Sequence, residues 1–294
     1  MNSNFAIIGS SGYIAPRHLK AIQEIGGTLL YATDPKEKSE NLVNFPSCKF
    51  FNEFSNFNNA IKNQKADYIT ICSPNFLHFE HIKYAIENNI NVICEKPLVL
   101  NLDDLNALQK IQNNSTAKIY TIFQLRYHDS VLKLTKKVNS ANISQQHKIK
   151  LHYITPRDES YLKTWKGNQD LSGGILANIG IHFFDMLLWI FGDLKKLHLS
   201  HKTPKCIKGT FILAKAEVDW ILSIDSADLP QHIKDNQIRT YRSITIDGEE
   251  LEFSTGFEDL HTLSYKDILA GKGYGVKDAK KSLEIIDKIN NYEL

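Results

Sequence analysis

Lys96 is one of two residues whose type and position could move a proton at an alcohol. It stands in Glu95-Lys96-Pro97, directly after the apolar run Asn91–Cys94. A lysine held between a strand end and a proline is well placed to reach a substrate hydroxyl, as a hydrogen-bond donor or, when neutral, as a proton acceptor. The alternative is an ordinary surface lysine.

His182 is the other candidate. A helical pattern places four residues on one stripe, at spacings of four, three and four: Asn178, His182, Asp185 and Trp189. Histidine titrates near neutrality and can take or return a hydroxyl proton. The alternative is a core histidine whose hydrogen bonds are satisfied. No metal site is predicted, because His182 and Asp185 supply only two nearby ligands.

A glycine-rich turn, Gly9-Ser10-Ser11-Gly12-Tyr13-Ile14-Ala15, follows the apolar run Phe5–Ile8 and opens a helical pattern. Gly9 allows a tight turn, Gly12 allows close approach of the backbone to a pyrophosphate, and the helix N-terminus offers N–H groups to its oxygens. The turn therefore predicts a dinucleotide site at the start of the chain.

Asp34 supports this interpretation. It closes the second apolar run, 22 residues after Gly12, where a carboxylate accepts hydrogen bonds from the adenosine ribose and repels a 2′-phosphate. The predicted cofactor is therefore NAD rather than NADP. The alternative is that Asp34-Pro35 only begins a turn.

Two tripeptides follow predicted strands: Ser73-Pro74-Asn75 and Glu95-Lys96-Pro97. In an open parallel sheet, ligands bind outside the carboxyl ends of the strands. We therefore expect both tripeptides at the cofactor edge of the sheet.

The order of the elements predicts the fold. Up to residue 123, apolar runs without alternation are interleaved with helical patterns, which is typical of a parallel sheet covered on both faces. Beyond it, segments such as 148–154 and 217–225 alternate polar with apolar residues. The predicted class is α/β. An N-terminal Rossmann dinucleotide-binding domain covers residues 1–123, and a C-terminal α+β domain with an open, largely antiparallel sheet covers 124–294.

Composition excludes several classes of protein. The chain has 294 residues and a net charge of +2, which does not favour nucleic-acid binding. No apolar run approaches the roughly 18 residues that span a membrane, and the N-terminus lacks a positive leader region. We therefore expect a cytoplasmic protein with no membrane partner. The cysteines have no CxxC spacing and are predicted to be buried free thiols: Cys48, Cys72, Cys94 and Cys206.

The Glu95-Lys96-Pro97 tripeptide and the helix Asn178–Asp185, preceded by Gly173-Gly174, resemble the glucose–fructose oxidoreductase/inositol dehydrogenase (Gfo/Idh/MocA) family. The resemblance covers essentially the whole chain. It implies an NAD-dependent oxidoreductase with Lys96 and His182 as catalytic residues. His182 is expected to accept the hydroxyl proton while Lys96 stabilises the alkoxide. The reverse assignment stays open. The two residues can act together only if the two halves of the chain face each other.

Further segments resemble one branch of that family, which oxidises the 3-hydroxyl of UDP-N-acetyl-glucosaminuronic acid (UDP-GlcNAcA) for bacterial surface polysaccharide. They are Gly12–His18, Ile71–Asn75, Gln124–Arg126, Tyr161–Gly167, Asn178–Phe183 and Asp259-Leu260-His261-Thr262. The branch implies a UDP-sugar acid as substrate, 2-oxoglutarate as a hydride acceptor in some members, and a homodimer or homotetramer.

The motifs, the resemblance and the charge of the expected substrate together indicate binding residues. Those for the cofactor are Gly9, Gly12, Tyr13, Ile14, Asp34, Ser73, Pro74, Asn75, His78, Glu95, Lys96 and Gln124. Those for the substrate are Lys96, Arg126, Arg157, Tyr161, Lys163, Trp165, Asn178 and His182. Lys166 belongs to the same basic group. A diphosphate and a carboxylate require local cations, although these lysines could equally form a solvated loop.

Two other functions compete with this one. The first is a dehydrogenase of another nucleotide sugar, a free sugar or inositol, and a free neutral sugar would not require the extra Arg and Lys residues. A non-catalytic NAD-binding protein would need neither Lys96 nor His182.

Overall fold

The computed structural model describes residues 3–37, 39–140, 145–253 and 255–294. It contains two compact units. One comprises Met1–Gln124 and Phe257–Lys280, and the other comprises Leu125–Gly256 and Lys281–Leu294. The first change of unit lies one residue after the predicted boundary at 123/124. The return of Phe257–Lys280 to the first unit was not indicated by any pattern in the sequence.

The first unit is built on a parallel sheet. Its strands are β1 (Asn4–Ile8), β2 (Thr28–Thr33), β3 (Lys49–Phe51), β4 (Tyr68–Ile71), β5 (Asn91–Cys94) and β6 (Ile119–Thr121). All neighbouring pairs are parallel, in the order β3-β2-β1-β4-β5-β6. The predicted Rossmann domain is confirmed. Its strand order reverses between β1 and β4, which is where such sheets bind dinucleotides.

Helices pack against the sheets. In chain order they are α1 (Ala15–Glu24), α2 (Phe54–Asn63), α3 (His78–Glu87), α4 (Leu102–Asn113), α5 (Asp129–Ser140), α6 (Glu159–Leu162), α7 (Gln169–Ser172), α8 (Ile181–Phe191), α9 (Gln231–Asp235), α10 (Leu260–Leu269) and α11 (Val276–Asn290). In the first unit, α1 buries Leu19 and Ile22, and α10 packs against α1 with Tyr265 and Ile268 in the same core. The chain thus returns late to cover the first helix.

The second unit contains a mixed sheet. Its strands are β7 (His147–Ile154), β8 (Leu194–Lys202), β9 (Cys206–Leu213), β10 (Ala216–Ser223), β11 (Tyr241–Ile246) and β12 (Glu249–Glu250). The order is β12-β11-β7-β10-β9-β8, and every pair is antiparallel except β7 with β10. The predicted open, largely antiparallel sheet is confirmed. The cysteines are buried free thiols, as predicted.

Helix α8 forms the core of the second unit. The Phe184 ring meets Phe211 and Trp220 of the sheet edge-on, at centroid distances of 5.2 and 5.4 Å. The stretch Gln169–Phe191 is long and apolar enough to cross a membrane, by length and composition alone, and 78% of its most apolar window is buried inside the protein. From the sequence, no apolar run long enough to span a membrane was predicted. The burial is that of a core helix.

Candidate active site

The glycine-rich turn joins β1 to α1 within the first unit. Gly9 has φ +84°, and a Cβ there would lie 2.7 Å from the Cys72 carbonyl carbon. At Gly12 a Cβ would lie 3.2 Å from the Gly9 oxygen. Gly9 therefore requires glycine, both for its positive φ and for lack of space, and a side chain at Gly12 would fit only if the neighbouring backbone shifted. The turn leads into α1, which has a proline in its first turn, so the helix N-terminus is available to a phosphate.

Asp34 lies buried at the end of β2 and is tied to this turn. Its Oδ2 accepts the Ser11 backbone N–H at 3.0 Å, and its Oδ1 accepts the Lys36 N–H at 3.0 Å. Asp34 therefore does have the turn-forming role that was the alternative interpretation of Asp34-Pro35. The same contacts also fix the carboxylate beside the glycine-rich turn, where the sequence placed it.

The loop after β4 is held by two histidines. Ser73 Oγ bonds His81 Nδ1 at 2.9 Å, and burial lowers the pKa of His81 to about 4, so this imidazole is neutral near pH 7. His78 is fully buried, with Nδ1 2.7 Å from the Pro97 carbonyl oxygen and Nε2 2.9 Å from that of Ser73. His78, assigned to the cofactor from the resemblance, therefore connects the loops after β4 and β5.

Lys96 follows β5 directly and is half-buried. Its peptide bond to Pro97 is cis, and its backbone N–H donates to Glu95 Oε2 at 3.2 Å. Glu95 is buried. The remaining residues that the resemblance assigned to the cofactor differ in exposure. Tyr13 is 85% exposed, Asn75 is buried, and Ile14, Pro74 and Gln124 are half-buried.

In the second unit, a π-helical turn, Leu176–Gly180, precedes α8 and carries Asn178. Between residues 175 and 191 the side chains are buried except at Asn178, His182 and Trp189, which are half-buried. Three of the four residues of the predicted stripe thus occupy the accessible positions of a core helix, and Asp185 does not. Single π-helical turns within α-helices are frequent at functional sites.

Asp185 belongs to the predicted stripe but is buried. Arg126 donates to it twice, from Nε to Oδ2 at 2.9 Å and from Nη2 to Oδ1 at 2.6 Å. Only 8% of the Arg126 side chain and 4% of the Asp185 side chain are exposed. This geometry favours a role for the pair in holding α8, whereas the resemblance assigned Arg126 to the substrate.

The segment 157–166, which includes α6 and which we call the basic loop, combines cations with aromatic rings. The Arg157 guanidinium lies 5.0 Å from the Tyr161 ring centre, and the Lys166 ammonium 5.8 Å from that of Trp165. Burial, and then the charge of Arg157, lower the pKa of Lys166. Lys163 is exposed. The loop therefore presents two neighbouring cations on aromatic faces, with Lys166 in the position where the sequence analysis emphasised Lys163.

Sequence reasoning missed a buried group around Glu95, formed by His18 and His261. Both Nε2 atoms lie at hydrogen-bond distance from Glu95 Oε1. The available signal was that both histidines belong to segments shared with the resembling branch. A carboxylate and two imidazoles are also the donor set of a transition-metal site.

Comparison with known proteins agrees with this architecture. Residues 3–123 match the family model "Oxidoreductase family, NAD-binding Rossmann fold", and residues 136–206 match the model of its C-terminal alpha/beta domain, both named for Gfo/Idh/MocA. The match to an NAD-binding domain confirms the prediction that the cofactor is NAD.

Solved structures resemble the whole chain. Two are of the WlbA (WbpB) dehydrogenase from Thermus thermophilus, at 38% identity over 99% of this chain and 96% of that one. The structure with NAD and alpha-ketoglutarate has a TM-score of 0.92, and that with NAD and UDP-GlcNAcA one of 0.91. Among curated relatives, the putative oxidoreductase YteT of Bacillus subtilis is 27% identical over 170 residues, 56% of this chain and 40% of that protein. The chain spans about half the length of the curated relatives it matches.

Proposed function

The chain belongs to the Gfo/Idh/MocA oxidoreductase family, and we propose that it is an NAD-dependent dehydrogenase that oxidises the 3-hydroxyl of UDP-GlcNAcA to the 3-keto sugar. The observation that carries the proposal is chain-long similarity, at 38% identity, to a dehydrogenase crystallised with NAD and UDP-GlcNAcA. The sites in the two units supply the residue types that this reaction needs.

The residues beside the point where the strand order of the first unit reverses fit NAD. The absence of side chains at Gly9 and Gly12 leaves backbone open to a pyrophosphate, because a Cβ at either position would meet neighbouring backbone. Each Asp34 oxygen accepts one backbone N–H, and a carboxylate oxygen can accept a second donor, here a ribose hydroxyl. NAD, when bound, supplies the acceptor for the hydride that leaves the sugar carbon.

The protein's own residues must then remove the proton from the sugar hydroxyl. We assign proton acceptance to His182, the half-buried titratable group of an otherwise buried helix. We assign to Lys96 a hydrogen bond to the same hydroxyl, which stabilises its developing negative charge. Asn178, one π-helical turn earlier, offers an amide to a neighbouring sugar substituent. The action of Lys96 and His182 on one hydroxyl stays a prediction.

We assign recognition of the anionic substrate to the basic loop. Arg157 and Lys166 provide two charges for a diphosphate or carboxylate, and Tyr161 and Trp165 provide flat apolar faces for the sugar or the base. Burial, and then the charge of Arg157, lower the pKa of Lys166, and an anion bound between these two cations would stabilise the charged form of both.

The test uses the purified protein. Mass spectrometry first identifies any retained dinucleotide. NADH formation is then followed by absorbance with NAD and UDP-GlcNAcA, UDP-GlcNAc (which lacks the carboxylate), inositol or glucose. We expect turnover with UDP-GlcNAcA and at least tenfold less with the others, because each lacks a charged group that the loop would bind. Preference for a neutral sugar would support the free-sugar alternative, and NAD binding without turnover would support a non-catalytic protein.

We also propose that the hydride can be passed on in place. The similar Thermus thermophilus structure contains NAD and alpha-ketoglutarate together, which supports 2-oxoglutarate as acceptor, with 2-hydroxyglutarate as product. If the reaction stops after one turnover, 2-oxoglutarate should restart it. A role in lipopolysaccharide or O-antigen sugar synthesis in the cytoplasm, and a homodimeric or homotetrameric state, belong to the same proposal.

A further inference from the structure

Glu95 lies at the centre of a buried hydrogen-bond cluster in the first unit. His18 of α1 and His261 of α10 place their Nε2 atoms 2.8 and 2.9 Å from Glu95 Oε1. His18 Nδ1 lies 2.8 Å from the Tyr265 hydroxyl, which lies 2.8 Å from Thr70 Oγ1. At most 1% of His18, His261 and Tyr265 is exposed. We call these five residues the Glu95 cluster. The reaction proposed above does not use its histidines.

Hydrogen-bond accounting fixes the protons of the cluster. Each Nε2 faces a carboxylate oxygen, which only accepts, so each Nε2 carries hydrogen and donates. Tyr265 can then donate to His18 Nδ1, with Thr70 donating to Tyr265. His261 Nδ1 is buried without a hydrogen-bond partner among the described residues. The arrangement is one carboxylate that accepts a hydrogen bond from each of two imidazoles.

The electrostatics agree with this assignment. Burial alone would raise the pKa of Glu95, yet the hydrogen bonds from His18 and His261 hold the pKa of this carboxyl well below its usual range. Burial lowers the pKa of His18 despite its carboxylate partner. Other titratable groups act on Glu95 from the neighbouring elements. Burial raises the pKa values of the Cys72 and Cys94 thiols and of Tyr265, and lowers that of His78. The two thiols and the Tyr265 hydroxyl are therefore uncharged near pH 7.

The other carboxylate oxygen of Glu95 accepts the backbone N–H of Lys96. We propose that His18 and His261 are positioning residues, which keep Glu95 ionised and fixed so that it sets the direction in which Lys96 leaves the end of β5. This inference rests on the proposed function, since it assigns Lys96 a role in proton transfer. It links α1, β5 and α10 through one charged group, so that the late return of the chain to the first unit serves the reaction.

A metal ion is the alternative occupant of these ligands. In a metal site, the lone pairs of all ligands converge on one point between them. Here both imidazole nitrogens lie at hydrogen-bond distance from the same carboxylate oxygen, as N–H donors sharing an acceptor do. The hydrogen-bonded arrangement therefore explains the geometry without an ion.

The test compares His261→Leu, which cannot donate, with His261→Gln, which keeps an N–H donor. For His261→Leu we expect kcat to fall by on the order of tenfold to a hundredfold, the usual effect of a misplaced catalytic group. KM for UDP-GlcNAcA and Kd for NAD should stay near wild type. His261→Gln should recover most of kcat. Tyr265→Phe, which removes only the donor to His18, is the second variant if His261→Leu does not fold.

The pH profile separates positioning from a merely structural role. Because the folded-state pKa of Glu95 is depressed, the carboxylate stays ionised in wild type, and kcat should show no acid limb from it above about pH 5. Losing a donor raises that pKa, so kcat of His261→Leu should fall as pH decreases through the raised value. His147→Leu is the matched control. His147 is a buried histidine bonded to the Asp247 carboxylate at 2.7 Å in the second unit, and its loss should leave the profile unchanged.

A readout without substrate separates this inference from the proposed function. Carbon-13 NMR of labelled glutamate carboxyls, with Glu95 identified by its loss in Glu95→Gln, should show no titration of Glu95 in wild type above about pH 5 and a raised pKa in His261→Leu. An ordinary pKa for Glu95 in wild type would overturn the inference even if UDP-GlcNAcA is turned over. So would equal kcat losses in the Gln and Leu variants with no acid limb, or a stoichiometric transition metal in the purified wild type. Absence of turnover in wild type, with Glu95 titrating as expected, would instead count against the proposed function.

Discussion

Removing either partner of the Arg126–Asp185 pair should destabilise the second unit far more than removing both. Arg126 donates two hydrogen bonds to the Asp185 carboxylate, and both side chains are more than nine-tenths buried. Arg126→Met leaves a buried carboxylate without its guanidinium, and Asp185→Leu leaves a buried guanidinium without its carboxylate. Each substitution keeps a side chain of similar size, so the main loss is electrostatic.

The expected magnitudes follow from the burial and the bidentate geometry. Breaking a buried ion pair by removing one partner costs about 3–5 kcal/mol, because the remaining charge stays desolvated. Replacing both partners by apolar side chains is often close to neutral. We therefore expect each single variant to lose about 3–5 kcal/mol and the double variant to lose less than about 2 kcal/mol. If the two effects were simply additive, the double variant would lose about 6–10 kcal/mol.

Tryptophan fluorescence during urea unfolding measures the free energy of unfolding of the second unit. The three tryptophans are Trp165, Trp189 and Trp220, and all of them belong to the second unit. The Arg126 guanidinium lies 5.9 Å from the Trp189 ring centre, so the signal also reports changes around the Arg126–Asp185 pair. Asp193→Ala, which breaks an exposed pair with Lys281 (70% and 61% exposed), is the matched control and should cost less than about 1 kcal/mol.

A double variant as unstable as the sum of the single variants, or single variants that resemble the control, would contradict this prediction. UDP-GlcNAcA affinity of the double variant distinguishes the two roles of Arg126. Near-normal affinity is expected for a pair that holds α8. A loss of tenfold or more, about 1.4 kcal/mol, would return Arg126 to the substrate-binding residues that the sequence indicated.

Three further predictions concern the two sites. Wild type should bind NAD more tightly than NADP in calorimetric titrations, and Asp34→Ala should weaken NAD and reduce that preference, because the carboxylate repels a 2′-phosphate; equal wild-type affinities would contradict this. Lys96→Met and His182→Asn should each fold and retain NAD but lose about two to four orders of magnitude in single-turnover NADH formation, with the double variant little worse than the worse single one; near-normal rates in both would disprove the mechanism. Lys166→Ala should weaken UDP-GlcNAcA binding by about tenfold to a hundredfold, the loss of a charge-assisted hydrogen bond, and exposed Lys163→Ala should weaken it less; the opposite order would restore the emphasis on Lys163.

Local patterns in the sequence determined much of the fold. Uninterrupted apolar runs between helical patterns predicted the parallel sheet, and the alternation in 148–154 predicted a half-buried strand, found as β7. These predictions succeed because periodicity records which face of an element is buried. The glycine-rich turn could also be identified from the sequence. Positive φ at Gly9 and the close approach of backbone atoms at Gly12 restrict the residue type at each position itself.

The roles of several polar residues were decided only by tertiary structure. His261 lies 166 residues from Glu95 in sequence, and no periodicity indicates that α10 returns to pack on α1. Asp185 lies on the predicted stripe, yet Arg126, 59 residues earlier, occupies its carboxylate. A helical pattern defines a face but not the element that will cover it. The charge and accessibility of a polar side chain depend on that partner, so Asn178 and His182 stay accessible on the same helix on which Asp185 is buried.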